Sequence, residues 1–295
     1  MKLSAACIRC IMERQEERVR EIANEDKKTV YLKEVAGLIA FSEPYASAPY
    51  LLYRINKVYK RVFGVSQDYE KEKEKFNQIM LALEPELKEK INSGTNKEDI
   101  LRNAINYSKA ANYIDYGAIS NVNEEKLFEL LDEANEDMTN EETFQLLLEE
   151  LKTAKELVFL VDNCGEVVAD KILIEVLKEQ YPELNMTAIV RGARVLNDVT
   201  YEDAQKVGLT EIVKVIGNGT AVPGTQIDIL SREARTTLGK ADIILSKGQA
   251  NFETLYGCGL NIYYLFLCKC EWFSSRFGME RFKGVFINEK DVDFK

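Results

Sequence analysis

The sequence contains no histidine. That absence removes Ser-His-Asp and Cys-His nucleophile systems, phosphohistidine chemistry and every imidazole-based metal site. Proton transfer and cation binding are left to Asp, Glu, Asn, Cys, Lys and Tyr, whose oxygen donors suit hard divalent cations. Long apolar runs are also missing: none approaches the roughly 20 residues of a membrane helix. The longest, LNIYYLFLC, reads as a buried strand. The opening stretch MKLSAACIRCIMERQ is split by Arg9 and followed by charges, so it does not read as a secretory leader. The six cysteines are then expected to be reduced thiols or metal ligands in a cytoplasmic protein. Positive charge is in deficit, with 49 acidic against 39 basic residues and a net charge of -10. With no local basic patch, neither nucleic acid nor a membrane is an expected partner. The oligomeric state is not legible.

The 295 residues suffice for one large or two modest domains. Up to about residue 150 the periodicity is helical throughout. LLYRINKVYKRVFG stops at Gly64, YEKEKEKFNQIMLALEPELKEKI predicts a kink or break near Pro85, and KEDILRNAINYSKAANYIDYG closes at Gly117. NEEKLFELLDEANEDMTNEETFQLLLEELKTAK reads as two or three acidic helices with a solvated face. From residue 156 short apolar runs alternate with helical stretches: ELVFLV, MTAIVR, EIVKVIG, ADIILSK, NIYYLFL and GVFIN. The expected fold is α/β, with a helical N-terminal half (1–152) packed on a Rossmann-like, doubly wound, mostly parallel sheet (153–295).

Such sheets bind ligands beyond the carboxyl ends of their strands, and that is where chemistry-bearing residues collect. The first strand ends in Asp162-Asn163-Cys164-Gly165, with Glu166 opening the next helix. A turn plus a helix cap explains this segment equally well. Glu166 and Asp170 share a helix face, a like-charge pair that is unfavourable unless a cation lies nearby. The second strand ends in RGARVLNDVTYEDA, where Asn197-Asp198 repeats the amide-carboxylate pairing. Thr200 and Asp203 form the better capping box, which leaves Asp198 available as a second carboxylate for a divalent cation. The third strand ends in GNGTAVPGTQID, which lacks a Walker lysine and G-x-G-x-x-G spacing; its amides and Thr220 either cradle an anion or form a plain loop. The fourth runs into SKGQANFETL, which places Lys247, Gly248 and Asn251 near the two carboxylates. A lysine so placed is suited to neutralising a phosphate.

The pieces DNCGEVVADK, RGARVLNDVT, KGQANFETL and AANYIDYGA together resemble the metal-dependent damage-control phosphatases, a family long catalogued as a domain of unknown function. The resemblance spans nearly the whole chain, and Cys7-x-x-Cys10 is similar to a mark of its prokaryote-rich branch. It implies a phosphoric monoester hydrolase acting on small phosphometabolites, sugar phosphates among them. The family's metal ligands fall on Asp162, Asn163 and Asp198 and its lysine on Lys247. The cation expected is Mn²⁺, Co²⁺, Ni²⁺ or Mg²⁺. Water attack with Glu166 as base and Lys247 as phosphate partner is the expected chemistry, with a phospho-aspartyl route through Asp162 left open. Arg191, Thr220, Gly248, Asn251, Asn112 and Asp115 are expected to line the substrate pocket. SQDYEKEKEKFN departs from the family by lacking a proline, which leaves the role of Asp68 open.

Cys7, Cys10, Cys268 and Cys270 supply the two thiol pairs of a four-thiolate metal or redox site, against ordinary buried cysteines as the alternative. CEWFSSR matches a C-x5-R loop only formally, since Trp272 and Phe273 are too bulky for a phosphate cradle. The competing functions are an adenosylmethionine-dependent methyltransferase, which would want a Gly-x-Gly turn after the first strand, and a non-catalytic metal or nucleotide sensor.

Overall fold

The computed structural model describes residues 1–113, 131 and 140–292. Three helices open the chain: α1 (Ala5–Val19), α2 (Glu25–Ala40) and α3 (Ala48–Phe63). Ser47 caps α3 by accepting from the Tyr50 amide, and Gly64 closes it at φ 78°. That conformation suits a residue without a Cβ. These helices bury a small core of their own around Tyr31, Val35, Ile55 and Val58.

Helices α4 (Glu70–Asn92), α5 (Lys97–Ala111) and α6 (Glu141–Leu151) follow. The break predicted at Pro85 does not occur, and α4 runs through it. Pro85 has no N–H for the carbonyl one turn back. Met80 on one side and Leu87 and Ile91 on the other are all buried in the main core, so packing holds the helix in one piece. Of the acidic stretch predicted as two or three helices, residues 140–155 are described and contain α6; apart from Leu131 the remainder lies outside the described residues, as do Asp115 and Gly117.

The sheet half then runs β1 (Glu156–Leu160), α7 (Glu166–Gln180), β2 (Asn185–Val190), α8 (Tyr201–Lys206), α9 (Leu209–Ile212), β3 (Lys214–Gly217), α10 (Arg232–Leu238), β4 (Ile243–Lys247), α11 (Gln249–Leu255), β5 (Ile262–Leu267), α12 (Glu271–Phe277) and β6 (Gly284–Asn288). Strand order is β3-β2-β1-β4-β5-β6. All pairings are parallel except β5–β6, where Tyr263 faces Asn288 and Leu267 faces Gly284. The order reverses between β1 and β4, the switch point at which open α/β sheets place their ligands.

Alternation along the strands splits the core in two. Leu157 and Phe159 of β1, with Leu245 of β4 and Leu265 of β5, pack under α4, α5, α6 and α7. Val158 and Leu160, with Ile244 and Phe266, pack on α10, α11 and α12. Helices α4–α6 therefore supply one layer of the sheet's own core, whereas α1–α3 dock from outside, α3 meeting α11. No described helix is long and apolar enough to cross a membrane.

Candidate active site

Two strand-end segments far apart in sequence are zipped together here. The Val199 amide donates to the Asp162 carbonyl at 2.8 Å, the Cys164 amide donates to the Asn197 carbonyl at 2.9 Å, and Asn163 and Asp198 face each other as an antiparallel bridge. Asp162, Asn163 and Asp198 are all buried. The backbone reaches this arrangement through two unusual conformations. Gly165 opens α7 at φ 84°, and its amide is taken by Asn77 Oδ1 of α4 at 2.6 Å. Leu196 sits at φ 46°, a left-handed conformation that costs a branched residue about 1–3 kcal/mol, immediately before Asn197-Asp198. From β4, Gly248 at φ 80° lies so close that a Cβ there would overlap the Asp162 carboxylate.

Arg191, at the end of β2, bridges the two carboxylates. Its Nη2 donates to Asp162 Oδ1 at 3.0 Å and its Nε to Asp198 Oδ2 at 2.5 Å. Nη1 donates to Asn251 Oδ1 at 3.2 Å, and Asn251 also accepts from the Thr225 hydroxyl at 2.8 Å. Burial holds the Asp162 carboxyl well above its ordinary range, and the neighbouring charges of Asp198 and Glu166 add to the effect against the pull of Arg191. Asp198 owes its availability to the predicted capping box. Asp203, not Asp198, accepts from the Thr200 amide and hydroxyl at 2.8 and 2.6 Å, and is paired with buried Lys73 of α4 at 2.5 Å.

A second cluster lies beside the first. Lys247, fully buried, donates to Glu166 Oε1 at 2.6 Å, to Asp170 Oδ1 at 2.7 Å and to the Ser108 carbonyl of α5 at 2.7 Å. An ammonium has three hydrogens, and all three are engaged by protein. Lys247 thus stands here as the partner of Glu166 and Asp170. The Ser108 hydroxyl donates to Asp170 at 2.7 Å, while Asp170 Oδ2 has no hydrogen-bond partner. Glu166 Oε2 accepts from Asn112 at 2.8 Å and from Asn163 at 3.1 Å, which joins the two clusters. Burial lowers the Lys247 ammonium's pKa, but Asp170 and Glu166 outweigh it and the net shift is upward.

The expected pocket residues divide. Arg191, Asn251, Gly248 and Asn112 are brought to the carboxylates. Thr220 is bonded within its own loop, where Asn218 Oδ1 accepts from the Thr220 and Gly192 amides, each at 2.9 Å. The loop amides of Thr220, Val222 and Thr225 are all taken by side-chain oxygens of the protein. All six cysteines are free thiols. Cys7 accepts from the Ser4 hydroxyl at 3.1 Å, Cys268 is buried against Met279, and Cys270 lies within electrostatic reach of Cys7. Sequence reasoning missed Ser108, Asn77 and Lys73 and gave Asp170 no role in the site. The Asp170 signal was present as an unfavourable Glu166–Asp170 spacing that only a nearby cation relieves.

The donor set decides whether a cation fits. Among the described residues, no three Asp, Glu, Cys or His side chains are grouped to hold a metal. A cation would therefore take two carboxylates, Asp162 and Asp198, and the Asn163 amide oxygen. The Asn163 nitrogen already donates to Asp162 Oδ2 at 2.8 Å and to Glu166, so Oδ1 is the atom it has to offer. Two buried carboxylates that draw a guanidinium between them, with an amide alongside, fit a hard divalent ion that completes its shell with water or substrate.

The chain is 29% identical over 288 residues to the uncharacterized protein MJ0202 of Methanocaldococcus jannaschii, covering 95% of this chain and 93% of that one. It is 30% identical over 278 residues to a protein of Archaeoglobus fulgidus named damage-control phosphatase, covering 92% and 93%. Its fold matches the crystal structure of a DUF89 family protein from Pyrococcus horikoshii with a TM-score of 0.83 at 24% identity, over 98% and 99% of the two chains. The model of the damage-control phosphatase ARMT1-like domain matches residues 3–284, and the chain belongs to that family.

Proposed function

We propose that this protein is a divalent-cation-dependent phosphatase of small phosphate monoesters, sugar phosphates among them. The observation that carries the reading is the convergence of Asp162, Asn163 and Asp198 on one another at the sheet's switch point, with Glu166 bonded to Asn163. The name of the Archaeoglobus relative supports the phosphatase part.

Asp162, Asn163 and Asp198 would hold the cation, Mn²⁺, Co²⁺, Ni²⁺ or Mg²⁺, which when bound supplies electrophilic activation of a phosphoryl oxygen. Glu166 takes the proton of the attacking water. Asn112 and Asn163 fix its Oε2 and Lys247 fixes its Oε1, and an oxygen with one donor keeps a lone pair for that proton. Lys247 positions this base; its ammonium faces Glu166, Asp170 and Ser108 in place of the phosphate. Arg191 holds the two cation-binding carboxylates in register.

The test is phosphate release from 4-nitrophenyl phosphate and a panel of sugar phosphates by metal-stripped protein, each cation being restored singly. Asp198→Asn is run in parallel. Restoration by at least one cation and a fall of about 10²-fold or more in the variant are expected. Cation binding without turnover of any ester would overturn the reading in favour of a sensor.

A further inference from the structure

We propose that Asn77 of α4 is a positioning residue of the cation site, holding the turn that carries Asp162, Asn163 and Glu166. The inference rests on the cation-dependent phosphatase reading and deepens it.

The turn from Asp162 to Glu166 is tied by its backbone on two sides. Toward the neighbouring strand end, the Asp162 carbonyl accepts from the Val199 amide and the Cys164 amide donates to the Asn197 carbonyl. Toward the helical half, the Gly165 amide donates to Asn77 Oδ1 at 2.6 Å, with both residues buried. The Asn77 side chain also lies within hydrogen-bonding reach of the Cys164 sulfur. It therefore grips the two residues that separate Asn163 from Glu166. The Asn163 nitrogen donates to Asp162 Oδ2 at 2.8 Å and to Glu166 Oε2 at 3.1 Å. Rotation of the peptide between Cys164 and Gly165 would pull on those bonds, and with them on the aim of Asn163 Oδ1.

Helix α4 makes a firm anchor for this grip. Lys73 lies one turn before Asn77 on the same face and pairs with Asp203 at 2.5 Å. Asp203 in turn accepts from the Thr200 amide and hydroxyl, two residues beyond Asp198. One helix face thus reaches both segments that would carry the cation, Asn77 the first and Lys73 the second. Phe76, Met80, Leu87 and Ile91 seat the same helix in the main core.

The experiment measures Mn²⁺ affinity by calorimetry, beside denaturant unfolding and kcat on 4-nitrophenyl phosphate, for wild type and three variants. Asn77→Leu removes the acceptor at similar volume. Asn77→Asp keeps it, with Lys73 one turn away to face the added charge. Met80→Ala destabilises the same helix from a core position. For Asn77→Leu we expect Mn²⁺ to bind about 10-fold more weakly, as when a group that orients a metal ligand from behind is lost. Asn77→Asp should stay within about three-fold of wild type. Met80→Ala should bind Mn²⁺ as wild type does, despite its lost stability. Unchanged Mn²⁺ affinity in Asn77→Leu overturns the assignment, whatever happens to stability. So does an equal loss of affinity in Met80→Ala or in Asn77→Asp. Wild type that binds Mn²⁺ without hydrolysing any ester, with that binding weakened in Asn77→Leu alone, sustains the assignment while the phosphatase reading fails. Wild type that binds no divalent cation overturns both. Should Asn77→Leu fail to fold, Asn77→Ala replaces it in the same series.

Discussion

The site contains two buried cations, each bridging two carboxylates, and they do different work. Arg191 joins Asp162 to Asp198, two residues brought together by strand ends of the sheet alone. Lys247 joins Glu166 to Asp170 and is closed over by α5, through the carbonyl and hydroxyl of Ser108. The Arg191 pair includes an amide and two carboxylates that a metal can use; the Lys247 pair is sealed on every proton of its ammonium. A buried ion pair is weak evidence for stability, since desolvation offsets most of the attraction. On the proposed reading the two pairs divide the labour: one would present oxygen donors to a cation, and the other would fix the base.

The largest effects should come from removing each cation. Arg191→Met and Lys247→Met each strand two buried carboxylates and should cost about 3–5 kcal/mol, read from denaturant unfolding. Adding Mn²⁺ should recover stability in Arg191→Met only, because Arg191, not Lys247, is the cation bonded to the Asp162 and Asp198 carboxylates that would hold the ion. Equal recovery in both variants, or in neither, would break the comparison.

A smaller effect is expected at the contact between β4 and the first cluster. Gly248→Ala places a methyl on the Asp162 carboxylate and strains a positive-φ backbone, at about 1–3 kcal/mol. Displacing a carboxylate proposed to hold the cation should reduce kcat about 10²-fold. Activity within a factor of two of wild type would show that Asp162 does not need its present position.

The smallest effect is a slope. Burial pushes the Asp170 carboxyl from 3.8 up to about 7, with Glu166 adding to the shift and Lys247 opposing it. Between those two pH values the folded protein holds a proton that the unfolded chain has released, so stability falls as pH rises through the window and levels above it. Asp170→Asn should remove that fall, leaving a flatter stability profile between about pH 4 and pH 7 than wild type shows. Parallel profiles would place the titration elsewhere.

Much of this arrangement is legible from local pattern. Strand ends announce themselves where an apolar run meets Asp162-Asn163 or Asn197-Asp198, and the capping box assigns Asp203 to the helix and frees Asp198. The parallel sheet follows from the alternation of runs, and the family resemblance agrees with the family match. What is not legible is long-range. Nothing about a serine in the amphipathic α5 says that it will meet a lysine 139 residues later, or that Asn77 will bond Gly165 across 88 residues. Pro85 misleads because tertiary burial on both sides outweighs one lost helix bond. Lys247 reads as a phosphate partner because it stands at a strand end near two carboxylates; only the docking of α5 reveals that its protons are already committed.

That docking carries a consequence for how the protein is made. Synthesis delivers Ser108 and Asn112 long before Lys247 and Leu267 leave the ribosome. Until those strands arrive, the helical segment holds polar groups whose partners do not yet exist. Glu166, Lys247 and Asn112 come into register together once β4 and β5 have joined the sheet, so on the proposed reading hydrolytic competence would be gained late and all at once. A nascent or truncated chain that lacks the last strands would carry the helices without the chemistry.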